Sequence, residues 1–580
     1  MKKILPLLLS LLPALLSAQG LDPTVRVTGT YKGNVSEGDF PKQEVVLPDS
    51  VTVFDTHFDY KVFDKPYQGS YDFSPYLMDL RPRPREVRKN QFYLKAGAGY
   101  TLHPMLDAYW NPEVADSCFN LSVYATNRSY WGTYDAHLAD GTQLGAFKNG
   151  FESRTLAGVK GRYDFPDVVL TWDAHYKGIH NGEGDAPVFN YFNRGYNKAR
   201  VDVGVRTPVQ QIKKLYYDFS VGADYAQDNF AGASVSPFRA GNIAIDGEVG
   251  DMISAKHGFR LDFSMGLQVF GAPPAFPKEL TGPSAYFSIT PHYVMNLQKF
   301  KMDLGVNLGY VTKTAESWNY GQPTQVVYPD VRIAYDPWKQ WATFYLNVKG
   351  GMKMNTYDDI LEANPHFAPF WTDAGRGLLG STVERVNASL GVEGKITSKW
   401  SYDASVGYAV YGSSPMEGLL PVAAGRFIPT LYFVNYQTFY AGLGMAWRSE
   451  SFDASVRAKY QGTYNLDVNG VHKVQDKAVF TLPNFLLDAR LTYNYKHRVY
   501  AGVCLEAQGS RKAQWNDGTD VRTASIRPFW NLGLDVQYVF SPEWSFWLHF
   551  DNLLFQEIQR NLFYAQKGGQ FTLGITLNIR

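Results

Sequence analysis

The stretch from Lys567 to Arg580 alternates apolar and polar residues for the length of a membrane-crossing strand. Phe571, Leu573, Ile575, Leu577 and Ile579 fall on one face, with Gln570, Thr572, Gly574, Thr576 and Asn578 on the other. That period of two is the signature of a strand apolar on one side only. The pattern recurs about every twenty residues back to Gln91. Phe92, Leu94, Ala96, Ala98 and Tyr100 open the series, and Val168, Leu170, Trp172, Ala174 and Tyr176 repeat it. Ala199, Val201, Val203 and Val205 follow, then Phe259, Leu261, Phe263, Met265, Leu267 and Val269. The opposite faces carry Asp173, His175, Lys177, Arg200, Asp202, Arg206, Arg260 and Asp262. A charge turned to hydrocarbon at mid-depth costs about 2–4 kcal/mol, so those faces must be wet. Strands with one face in lipid satisfy their backbone only by closing on themselves. The fold class is therefore all-β, a transmembrane antiparallel β-barrel.

The chain opens as an export signal. Lys2 and Lys3 form a positive start, Ile4 to Leu16 an apolar run, and Ser17-Ala18 a small-residue exit, which predicts cleavage before Gln19 despite the bulky Leu16 three places back. No cysteine follows the exit to accept a lipid anchor. The expected organisation is a signal peptide at 1–18, an extended periplasmic segment at 19–90 and a barrel at 91–580, in an outer membrane with both termini periplasmic.

Composition fits. A mean hydropathy of −0.27 looks soluble, but half of each barrel strand faces water. Aromatic residues make up 15% of the chain, and amphipathic rings concentrate at membrane interfaces, although an aromatic-rich soluble sandwich would share that excess. The formal charge of +1 with dispersed charges argues against a nucleic-acid partner. Cys118 and Cys504 lack metal-ligand company and read as free or incidental thiols.

The segment 19–90 holds seven prolines. It ends in a basic cluster, Arg81, Arg83, Arg85, Arg88 and Lys89, just before the first strand. Such a cluster suits inner-leaflet headgroups, and a solvated linker explains it equally well. From Gln91 onward, short connectors such as 164–167, 298–301, 397–400, 449–451, 496–498 and 541–543 alternate with long ones at 132–150, 356–382, 412–437 and 465–483. Short turns on one rim and long loops on the other are the asymmetry of outer-membrane barrels. Counting alternations gives about 22 strands, within 20–24, and sixteen or eighteen if some long connectors hide none.

The C-terminal portion resembles the TonB-dependent receptor barrels of Bacteroidota-type bacteria. Asn552-Leu553-Leu554 is similar to that family's ending of the penultimate strand, and Gly569-Gln570-Phe571-Thr572-Leu573-Gly574-Ile575 to its final strand. Phe485 to Leu491 resembles the third- or fourth-last strand. The chain departs from the family in ending on Arg580 instead of an aromatic residue, and in offering only 19–90 where the family has a plug domain. Thr24-Val25-Arg26-Val27 is a faint match to a TonB-binding box.

A lumen of this width needs filling. The candidate is the loop 356–382, whose Ile360, Leu361, Phe367, Phe370 and Trp371 supply apolar material suited to occluding the lumen or holding a ligand. Its Asp358, Asp359 and Glu362 read either as a cation site or, more simply, as a solvated turn. No nucleophile elbow, zinc helix, phosphate loop or calcium loop occurs. His175 with Asp173, and His549 with Asp551, share strand faces as inward polar residues generally do. No catalytic residue, cofactor or metal is expected. Two readings follow: a non-enzymatic channel, receptor or surface platform whose loop aromatics Trp318, Tyr320, Phe367 and Trp371 meet a ligand, or a structural subunit of an outer-membrane complex accompanying barrel-assembly or surface-lipoprotein machinery. Expected partners are outer-membrane lipid and other outer-membrane or periplasmic proteins.

Overall fold

The computed structural model describes residues 91–100, 102–112, 118–137, 143–182, 193–208, 213–230, 238–271, 283–312, 324–338, 341–367, 381–423, 426–465, 482–516, 521–561, 564–566 and 568–579. The basic cluster from Arg81 to Lys89, the leader and the proline-rich segment lie outside the described residues, as do Trp318, Tyr320, Phe370 and Trp371.

Twenty-two antiparallel strands close into one barrel, the number that the alternation implies. The first strand, Phe92–Tyr100, pairs on one side with Met105–Trp110 and on the other with the last, Gln570–Ile579. Phe92 stands opposite Ile579 and Tyr100 opposite Phe571, so neither edge is left unpaired. Two short hairpins lie outside this wall, Arg511–Asn516 with Val521–Ile526 and Ile558–Asn561 with Tyr564–Gln566. The strand Phe485–Tyr495 is fifth from the end of the wall, one or two places earlier than its resemblance implies.

The short connectors fall where the sequence puts them, and Phe92 and Ile579 lie on their rim. One of them is Tyr495–Arg498, where Arg498 N–H donates to the Tyr495 carbonyl at 3.0 Å. Lys496 and His497 both have positive φ, 49° and 56°, the mirror-image turn that matches the twist of hairpin strands. Neither residue is glycine, and the Asn494 carboxamide compensates by accepting from His497 N–H at 2.8 Å. At the end of Trp544–Asp551 the chain reverses at Asn552, φ 54°. The Asn552 side chain accepts from Gln556 N–H at 3.0 Å and donates to the Gly568 carbonyl at 2.9 Å, a physical reason for the asparagine in that motif.

Two long connectors are not loops. Most of 132–150 belongs to the strands Phe119–His137 and Gln143–Asp164, and 412–437 to Trp400–Ala423 and Arg426–Arg448. Pairing between these strands continues well past the apolar belt. Alternation signals a strand only where its two faces meet opposite surroundings, and the outer parts of these strands, beyond the apolar belt, do not keep the period.

The two faces separate as the alternation requires. Val201, Val203, Val221, Tyr225, Ile243, Leu261, Leu573 and Ile575 are exposed on the outside. Lys198, Asp224 and Asp228 point the other way and are buried. Aromatic pairs ring the short-turn rim: Tyr163 with Phe165 at 4.4 Å, Phe300 with Tyr335 at 4.5 Å and Phe452 with Tyr493 at 4.7 Å. Such a girdle marks a membrane–water boundary. Toward the other rim the outer face turns polar, Ala157, Tyr176, Ala199 and Tyr225 giving way to Thr155, His180, Asn197 and Gln227 on the same strands. These strands overrun the hydrocarbon.

Candidate functional site

The connector between Thr343–Lys353 and Thr382–Lys395 contains a helix, α1, at Tyr357–Ala363. Thr356 begins it, its hydroxyl accepting from Asp359 N–H at 3.2 Å. Asp358 and Asp359 occupy the first turn, where carboxylates suit the helix dipole. At the other end Asn364 N–H donates to the Ile360 carbonyl at 2.8 Å, and Pro365 prevents continuation.

This helix packs on the inward faces of strands far from its own in the wall order. Tyr357, Ile360, Leu361 and Phe367 form one buried cluster with Ile179, Tyr196, Ala226, Ala240 and Phe270. The five wall residues come from five consecutive strands, Val169–Gly182 through His257–Gly271. Leu361 is fully buried, and each apolar side chain so removed from water is worth about 1.5–3 kcal/mol. The connector therefore reaches inside the barrel to wall strands at least four places from its own.

Polar contacts fix the position. Arg194 and Asp228 form an ion pair at 3.1 Å, with both side chains fully buried. The remaining Arg194 nitrogens donate to the carbonyls of Pro365 and Phe367, and the Tyr357 hydroxyl donates to Asp228. Asn181 donates to the Pro365 carbonyl at 2.9 Å. Wall and connector thus meet most of each other's buried donors and acceptors, which is what makes a buried pair tolerable, although Asp228 Oδ1 and Asn181 Oδ1 have no hydrogen-bond partner among the described residues. Asp358 accepts from Lys177 and Lys198, each at 3.0 Å, and Glu362 pairs with Lys177. Burial would raise the Asp358 carboxyl, but the two ammonium groups, Lys198 foremost, outweigh it and hold it below the ordinary carboxylate range. Burial drives the Tyr357 phenol well above its usual value, against the pull of Arg194.

Asp358 is held between two wall lysines instead of lying in a solvated turn, whereas Glu362, paired with Lys177, and Asp359, 3.7 Å from Lys353, both stay about half exposed. Among the described residues no cluster suits a metal ion. Of the loop residues singled out in the sequence, Ile360, Leu361 and Phe367 come together, while Phe370 and Trp371 lie outside the described residues. The wall residues Lys177, Arg194, Lys198, Asp224 and Asp228 were not legible as a set. Their one signal is spacing, Arg194 with Lys198 and Asp224 with Asp228 each placing two inward charges four residues apart on adjacent strands. His175 and Asp173 do meet, at 3.1 Å, with Tyr124 also donating to Asp173 at 2.9 Å. His549 instead bonds Asp535 across the strand pair at 2.5 Å, and Asp551 accepts from Asn531 at 2.9 Å.

No protein-family model matches the chain, and no curated protein matches it in sequence. Solved structures do match in shape. The FrpB iron transporter from Neisseria meningitidis superposes with a TM-score of 0.62 at 10% identity, over 84% of this chain and 81% of that one. A mutant of the ferric enterobactin receptor PfeA from Pseudomonas aeruginosa gives 0.61 at 12% identity, over 84% and 80%. The copper transporter OprC gives 0.58 at 11%, over 84% and 82%. The fold is that of the TonB-dependent receptor barrels of outer membranes.

Proposed function

We propose that this chain is a non-enzymatic outer-membrane channel or receptor for a solute, without a separate plug, whose lumen is partly occluded by its own connector around α1. The short-turn rim and both termini face the periplasm, and the α1 rim faces outward. One observation carries the reading: a connector anchored by a fully buried ion pair on a distant stretch of the inner wall. A loop that merely joined two strands would have no use for such anchorage. The iron and copper transporters that share the fold support the same reading. The experiment is single-channel recording of the purified protein in planar bilayers, comparing the full chain with one in which Tyr357–Phe367 is replaced by a Gly/Ser linker of equal length. The linker form is expected to conduct several-fold more; equal, negligible conductance from both would reject the reading.

A second reading rests on another element. The hairpin Trp400–Ala423 with Arg426–Arg448 continues as paired strand well beyond the belt, braced at Gly418 and Leu419 by Gln514 and Trp515. A braced arm suits a surface platform or a structural subunit of a complex. Fixed-ratio co-purification of partners in mild detergent, abolished by trimming the arm at 413–434, is its test.

A further inference from the structure

Between α1 and the wall lies a cavity of about 450 Å³. The wall lines it with Arg128, Arg154, Lys177, Lys198 and Arg200 and with no aspartate or glutamate; the acids that reach it, Asp358 and Glu362, both belong to the helix. Other wall carboxylates do engage these cations from outside the lining: Asp107 on Arg128, Glu152 on Arg154, and Asp202 and Asp224 on Arg200. Asp224 also lies 3.6 Å from Lys198, and Asp173 holds His175, the remaining titratable group of the lining. The patch as a whole is thus compensated, but donors greatly outnumber acceptors at the cavity surface.

Arg154 makes this concrete. Its Nε meets Glu152 at 2.7 Å and one Nη donates to the Glu362 carbonyl at 3.2 Å. A guanidinium has five N–H groups, so most of this fork has no acceptor among the described residues. Arg128, 43% exposed, stands on the neighbouring strand with its Nη groups donating to Asp107 and to the Leu106 and Asn127 carbonyls, so it brings charge more than free donors, and Lys177 reaches in from the next.

We infer that this cavity is a binding site for a small soluble oxyanion, taken up by the Arg154 fork with Arg128 and Lys177 as further positive charges beside it. The inference rests on the solute-channel reading, and it names the chemistry of the solute. Planar forks suit carboxylate and phosphate oxygens alike. A lipid headgroup is a poor candidate because the lining faces the barrel interior. The ligand enters in competition with Glu362, which already occupies Lys177, so binding loosens the seat of α1.

The test is isothermal titration of the full chain in detergent with sodium phosphate and, separately, sodium citrate, at constant ionic strength because exposed charges are screened by salt. One-to-one binding of at least one anion is expected. Arg154→Gln and Arg128→Gln should each weaken it at least tenfold, while Lys353→Gln, on the other side of α1, leaves it unchanged. Heat-modifiable electrophoretic mobility checks that each variant is folded. A nitroxide on Asp359→Cys, with Cys118 and Cys504 replaced by serine, should gain mobility as the anion binds. No heat with either anion, equal affinity in both arginine variants, or an unresponsive label at saturation overturns the inference. Conductance without anion binding would sink this site but not the channel, whereas binding by a non-conducting barrel would do the reverse.

Discussion

Arg194 shows how much a single side chain carries here. Its charge is fully buried against Asp228, and its remaining nitrogens hold two carbonyls of the α1 connector. Replacing it with methionine strands a buried carboxylate, a change that costs about 3–5 kcal/mol. Arg194→Met is therefore expected to free the connector, read as motional narrowing of the nitroxide at position 359. Tyr357→Phe removes one hydrogen bond to a charged group and should cost only about 1–3 kcal/mol, leaving most connectors docked. Asp358 sets the pH response. Its carboxyl is held below the ordinary range, so its contribution to docking is complete above the unfolded value of about 4 and is lost as pH falls through the lower docked value. The Asp358 contribution should thus leave label mobility flat from neutral down to mildly acidic pH, with release only in strong acid; release between pH 6 and 7 would show that another group governs docking. At the Tyr495–Arg498 turn, His497→Gly relieves a left-handed residue and should raise stability by about 1 kcal/mol, measured as the urea midpoint of unfolding.

Among elements, the lipid-facing strands were legible and the lumenal architecture only partly so. Strands such as Asn193–Arg206 announce themselves because hydrocarbon and water impose opposite demands on alternate residues. The outer part of Arg426–Arg448 runs Arg426-Phe427-Ile428-Pro429-Thr430-Leu431-Tyr432-Phe433-Val434, with no alternation of apolar and polar residues, so it reads as a loop. The apolar loop residues Ile360, Leu361 and Phe367 were visible because they would not choose water. Their seat was not visible, since it is assembled from Ile179, Tyr196, Ala226, Ala240 and Phe270, which the chain brings together only by winding the wall. Inward charges likewise look alike in sequence, whether they bathe in the lumen or, like Lys198, are sealed beneath a helix. The test at this scale is polarity reversal: Val203→Arg puts a charge into lipid and should cost up to about 4 kcal/mol near mid-depth, while Val203→Leu is neutral, both read from heat-modifiable mobility against temperature.

For the whole molecule, the distribution of cover inside the cylinder matters most. The α1 connector shields the inward faces from Val169–Gly182 to His257–Gly271, whereas Arg457, Lys459 and Asp488 on the far side are exposed. Occlusion by a single tethered element predicts conductance that rises in graded steps as its anchors are weakened, with Tyr357→Phe below Arg194→Met and both below the linker form. An all-or-none response in bilayer recordings would indicate a different stopper.

The seam where Phe92–Tyr100 meets Gln570–Ile579 bears on how such a cylinder is made. Strands about 470 residues apart in the chain bond to each other there, so no pairing between neighbours in sequence can finish the ring. Without Gln570–Ile579 two raw margins stay unjoined, so the ring's completion waits on that one strand.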